Sequence, residues 1–122
     1  MTTLLLLTTA PDTHLAWHGV RLARALIARN QVVKVFFYQD AVTVVNDRIW
    51  RPADEPSLQH AWQALPLDRP VCVSAALARG ITDTDNAQRH KRAGSNLADG
   101  FRLAGLGELA DLMQQADRVV QL

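Results

Sequence analysis

One side chain in the 122 residues can act as a sulfur nucleophile: Cys72, the only cysteine of the chain. A lone thiol cannot close an intrachain disulfide. Without a second cysteine there is also no CxxC redox pair and no thiolate zinc cluster, so thioredoxin-like and zinc-ribbon chemistry are excluded. Two roles stay open for Cys72. It is either a small buried hydrophobe or a reactive thiol that works with a group outside the chain. Its surroundings bear on the second role. The run Val71–Ser74 reads as a short buried strand, and Ala75–Arg79 as a short helix that Ser74 can cap and Gly80 can close. A thiol at the carboxyl end of a strand, just before a helix, meets free amides and the positive end of the helix dipole, which favour thiolate over thiol. Ala75 and Ala76 leave little side-chain bulk there, so another protein could approach.

The remaining candidates are weaker. His14 and His18 lie four apart on one helix, a spacing that can clip a metal, but only Asp12 adjoins them, and solvated histidines flanking Trp17 are the better reading. The basic run Arg89–Arg92 (RHKR) could hold an anion, yet it is short and has no interleaved aromatics, which suits a solvated loop. Gly105-Leu106-Gly107 lacks the third glycine and the preceding strand of a dinucleotide fingerprint and reads as a turn into the last helix. Trp17, Trp50 and Trp62 read as core or subunit contacts. There is no GxSxG elbow, Walker-type glycine loop or HExxH, so hydrolase, kinase and metalloprotease chemistry find no motif.

The elements that must position these residues follow from periodicity. Thr3–Thr9 is an almost unbroken apolar run suited to a strand covered on both faces. Pro11 breaks it, Asp12 or Thr13 can cap the next helix, and apolar residues at helical spacing from Leu15 to Ile27 carry that helix to about Arg29. Asn30 is a natural left-handed stop. Val32–Tyr38 (VVKVFFY) is a second strand, which makes a right-handed βαβ unit. Val42–Ile49 fits either a strand or a short helix. Ser57–Leu65 reads as a helix, Thr82–Asn96 as loop plus a helical turn, Gly107–Ala116 as a helix and Arg118–Leu122 as a last strand. Strands alternating with helices predict an α/β three-layer sandwich: a mainly parallel sheet of four to five strands with helices on both faces, in one domain over 1–122.

Composition agrees with a globular chain: 48 % hydrophobic, 20 % charged, with a formal net charge of +1. That balance argues against tight gripping of a phosphate backbone. No apolar run approaches the roughly 20 residues of a bilayer span, and there is no signal-peptide pattern at the start, so a cytoplasmic location is expected.

Four stretches together resemble the DsrE-like sulfur-relay family. They are Arg24–Ala28 (RALIA) leading into Val35–Tyr38 (VFFY); Ala61-Trp62-Gln63; Val71–Thr82 (VCVSAALARGIT); and Ser95–Leu122. The last contains Ser95-Asn96-Leu97, Gly105–Leu109 (GLGEL) and Asp117–Gln121 (DRVVQ). They span nearly the whole chain in order. The resemblance implies a flavodoxin-like sandwich and places the family's sulfur-carrying cysteine at Cys72. It further implies a sulfurtransferase that needs no cofactor or metal, takes up sulfur as a cysteine persulfide and relays it onward for 2-thiolation of tRNA wobble uridine. Its partners would be homologous TusB-like and TusC-like subunits in a heterohexamer, an upstream TusA-like carrier and a downstream TusE-like acceptor. Two other roles go with the same resemblance: a subunit in dissimilatory sulfur oxidation, or a non-catalytic scaffold of a related hexamer. The segment Thr8–Thr13 is a few residues shorter than is usual in the family, with Ala10 before Pro11 where glycine is common.

Overall fold

In a computed structural model that describes residues 1–122, the apolar runs become a five-stranded sheet in which every pairing is parallel. The strands are β1 (Thr2–Leu7), β2 (Val32–Phe37), β3 (Pro70–Cys72), β4 (Arg102–Ala104) and β5 (Arg118–Gln121), in the spatial order β4-β3-β2-β1-β5. The helices are α1 (His14–Ala28), α2 (Leu58–Gln63), α3 (Val73–Ala78), α4 (Thr84–Arg89) and α5 (Leu106–Gln115), with a 3₁₀ helix over Gln39–Val45. The chain steps from β1 to β4 in one direction, then α5 carries it back across to β5. Right-handed crossovers therefore put α5 on the face opposite α1 and α2, and the sheet becomes the middle of three layers.

The expected elements form where they are expected, with four differences. Val42–Ile49, which fitted strand or helix, is mostly the 3₁₀ helix: Ala41, Val42, Val44 and Val45 are all buried, a spacing no single strand face allows. Asn46 then makes an isolated bridge to Leu97. Strand β4 has only three residues and no periodic signal of its own, and it pairs because Cys72, Val71 and Pro70 offer an open strand edge. It directly precedes Gly105, so Gly105-Leu106-Gly107 does follow a strand, contrary to expectation. Leu15, placed on the buried stripe of α1, is 45 % exposed, because the stripe begins at Gly19 and Val20. Helix α3 begins at Val73, so Cys72 rather than Ser74 is its N-cap.

The core is drawn from both faces of the sheet: Leu4, Leu5, Val35, Phe36, Phe37 and Val71 from strands, with Val20, Ala23 and Trp62 from helices. Phe37 meets Trp62 and Phe101 edge to face at centroid separations of 5.4 and 5.5 Å. Gly19 brings α1 against the sheet so closely that a Cβ there would lie 2.9 Å from Leu7 Cδ2 and 3.4 Å from Trp62.

Candidate functional site

Cys72 stands at the carboxyl end of β3 and is its last residue, two residues before the strand end expected at Ser74, its Cα paired with that of Ala104 on the edge strand β4. The backbone leaves extended geometry there, and Val73 is already helical. The thiol thus sits at the N-terminus of a six-residue helix and makes no capping hydrogen bond. Val71 and Ala76 beside it are fully buried.

Access is the point on which expectation and structure part. Cys72 is 1 % exposed and belongs to the main core cluster. Five surface cavities of the chain are all lined by other residues. The thiol is therefore not open to a visiting protein in the isolated chain, contrary to the inference from Ala75 and Ala76. Those alanines are themselves 8 % and 0 % exposed: small side chains let neighbouring elements close in rather than leaving a gap.

Around the carboxyl ends of β2 and β3, three polar clamps set how α3 and its neighbours sit. Arg79, which caps α3, donates from Nη2 to Asp40 Oδ1 at 2.9 Å and from Nη1 to the Ala75 carbonyl at 3.0 Å, tying α3 to the 3₁₀ helix. Asn96 accepts from Thr82 N–H at 2.9 Å and donates to the Gly80 carbonyl at 3.0 Å and to Asn46 Oδ1 at 3.2 Å. Its backbone adds a bond in each direction, to the Thr82 carbonyl (3.1 Å) and from Asp47 N–H (2.8 Å). Helix α3 ends on Gly80 at φ +74°, and Ile81 N–H returns to the Ala76 carbonyl. The Asp40–Arg79 and Asn46–Asn96 pairings join residues far apart in sequence, and no local pattern announces them. Asn96 was visible only as part of a stretch resembling the family.

Two further stretches of that likeness anchor the sheet. In GLGEL, Gly105 caps α5 and Glu108 accepts from Arg102 at 3.0 and 2.8 Å. Arg102 also donates to Asp68 at 2.9 Å, which holds the Asp68 carboxyl below its ordinary value. The two carboxylates hold the Arg102 guanidinium protonated beyond its usual range. In DRVVQ, Asp117 accepts from Thr2 N–H at 2.7 Å, and Arg118 Nε donates to buried Thr3 Oγ1 at 2.8 Å, fixing β5 against β1.

Folds of this kind usually take ligands beyond the carboxyl ends of the strands, near where the crossovers change direction, and the pocket beyond the ends of β1 and β2 is small. Leu7, Thr9, Pro11, Phe37, Trp62 and Leu122 close it to about 10 Å³, the space of one water. His14 and His18 are both exposed, and no three His, Cys, Asp or Glu side chains converge into a set that could hold a metal ion. Of the tryptophans, Trp62 is core, Trp17 is half-buried and Trp50 is 82 % exposed.

Comparison with known proteins settles the family. The DsrE/DsrF-like family model matches residues 1–122. The chain belongs to the DsrE/DsrF-like family. Among curated members similar to it, the sulfurtransferase TusD of Pectobacterium carotovorum is 42 % identical over 95 % of both chains. The sulfurtransferase TusD homolog of Pseudomonas aeruginosa is 37 % identical over 90 % of this chain and 88 % of its own. The crystal structure of the ychN protein from E. coli superposes with a TM-score of 0.78 at 25 % identity, covering both chains in full. A DsrE/DsrF-like fold thus carries a short β3 whose last residue is the chain's only thiol. No helix of it is long and apolar enough to cross a membrane.

Proposed function

We propose that this protein is a sulfurtransferase of the TusD kind, taking up a persulfide sulfur on Cys72 and relaying it to a downstream carrier for 2-thiolation of tRNA wobble uridine. What carries the reading is a single thiol at the carboxyl end of β3, in a chain 37–42 % identical to proteins named sulfurtransferase TusD over most of its length. The chemistry balances without a cofactor. The Cys72 thiolate attacks the outer sulfur of a donor persulfide, the donor thiolate leaves, and Cys72 becomes the persulfide. An acceptor thiolate then takes the same outer sulfur and releases the Cys72 thiolate. With no second cysteine in the chain, no internal thiol can intercept that sulfur and expel sulfide. The fitting partners are TusB-like and TusC-like subunits in a heterohexamer, with a TusA-like donor and a TusE-like acceptor, in the cytoplasm.

Both exchanges require the sulfur to reach another protein, so the side chains that enclose Cys72 must part when a partner docks. The same burial favours a second reading, in which Cys72 is only packed and the protein is an architectural subunit. Intact-protein mass spectrometry after incubation with a cysteine desulfurase and the upstream carrier separates the two. The relay predicts one added sulfur that disappears in Cys72→Ser. An adduct that persists in that variant refutes Cys72 as the carrier. No adduct on the assembled wild-type complex, with a thiol reagent reacting there as slowly as with the isolated chain, establishes the architectural role.

A further inference from the structure

Three cationic side chains face one concave patch without a carboxylate to neutralise them. Arg48, Lys91 and Arg92, together with Leu77, Ala78 and Gly80 at the end of α3, line a groove of about 540 Å³. All three cations are exposed. The ion pairs of the chain involve only Arg79 and Arg102 among its basic residues, so these three have no partner. Asp83 is engaged in capping α4 through Asn86 N–H at 2.8 Å, and Asp47, next to Arg48 in sequence, makes no ion pair. The groove is built by tertiary contacts. The Asn46–Leu97 bridge and the Asp47–Asn96 hydrogen bond lay the Arg48 segment along the loop that carries Lys91 and Arg92.

Lys91 occupies an unusual place. Helices α1, α3 and α4 all close with the same turn, in which one residue adopts the left-handed conformation and the next N–H returns to the helix. In α1 that residue is Asn30 and in α3 it is Gly80, the types the conformation favours; in α4 it is Lys91, at φ +56°. A long basic side chain is thus held at a position where glycine would be easier for the backbone. Leu77, half-buried, is the large apolar side chain that lines the same groove. A chain of net charge +1 lacks the excess of cations that polyphosphate binding relies on.

We propose that this groove is a docking surface for a partner protein presenting an acidic segment with a large apolar side chain, the carboxylates meeting Arg48, Lys91 and Arg92 and the apolar group meeting Leu77 in the same groove. The assignment is independent of what Cys72 does. It is tested by titrating the isotope-labelled full chain with a short acetylated peptide of glutamates around a single leucine, followed by amide NMR shifts. Shifts should concentrate at Arg48, Leu77–Gly80 and Lys91–Asn96, and affinity should fall about tenfold or more on raising the salt to roughly 0.5 M. Arg48→Glu should weaken binding by about tenfold. Lys91→Gly should weaken it as well while leaving Tm unchanged or higher, since glycine suits the backbone there. Absence of shifts in the groove, or affinity indifferent to both variants, overturns the proposal. A uridine oligonucleotide that moves the same amides at lower concentration than the peptide overturns it in favour of RNA.

Discussion

Cys72 and Asn96 show how much a residue's role depends on what surrounds it. Cys72 is recognisable from sequence as a solitary thiol at a strand end, and the structure keeps it there, yet its burial follows from contacts no local pattern encodes. Asn96 carries no obvious chemistry, but its side chain satisfies Thr82 N–H, the Gly80 carbonyl and Asn46 at once. Removing it strands a donor on a residue that is only 4 % exposed. Asn96→Ala should therefore lower stability by about 2 kcal/mol, read from urea unfolding, because an unpaired buried donor costs far more than a lost surface bond. A change below about 0.5 kcal/mol, the level of an ordinary surface substitution, would show that the clamp is dispensable.

At the level of elements, two packing arrangements make opposite demands on the sequence. In α1, alanine at position 19 would gain up to about 1 kcal/mol of helix propensity. Its Cβ would, however, meet Leu7 at 2.9 Å inside the core, and overpacking typically costs about 1–3 kcal/mol. Gly19→Ala should thus destabilise by about 1 kcal/mol net, and a stabilised variant would mean that Leu7 can move aside. At the other end of the sheet, Arg102 bridges Asp68 and Glu108 and so fastens the edge strand β4 to α5. The Asp68 carboxyl, held down by its hydrogen bond from Arg102, contributes stability that is present above its ordinary value of 3.8 and lost as pH falls through the depressed one. The pair is largely solvated, so its worth is under about 1 kcal/mol. Asp68→Asn should be slightly less stable than wild type at neutral pH, and the difference should shrink as the pH falls below 3.8 and through the depressed value, measured by denaturant unfolding across pH. A difference that widens in acid would reverse the sign of this linkage.

For the molecule as a whole, the three tryptophans divide into scaffold and surface. Trp62 is 1 % exposed and packs on Phe37, while Trp50 stands almost free. Trp62→Ala should cost about 3–5 kcal/mol, a large share of the stability of a domain this size. Trp50→Ala should leave stability within about 0.5 kcal/mol. Equal Tm losses in the two variants would contradict this division of the fold. Edge strands β4 and β5 are both unpaired on their outer sides, and β5 shows Val119 40 % exposed to solvent.

Sequence alone determined the alternation of strands and helices, the α/β class, the left-handed stop at Asn30 and the position of the thiol. These are local matters of hydrophobic period, capping and chain reversal, legible in windows of a few residues. The three-residue strand β4, the 3₁₀ helix over Gln39–Val45 and the start of α3 were not legible, because each is shaped by the neighbours it packs against. Tertiary structure alone decided that Cys72 is enclosed, that the pocket beyond the ends of β1 and β2 is small and that Arg48 lines one groove with Lys91 and Arg92. Enclosure and proximity are properties of residues distant along the chain, and only closing the sheet and its layers brings those residues together.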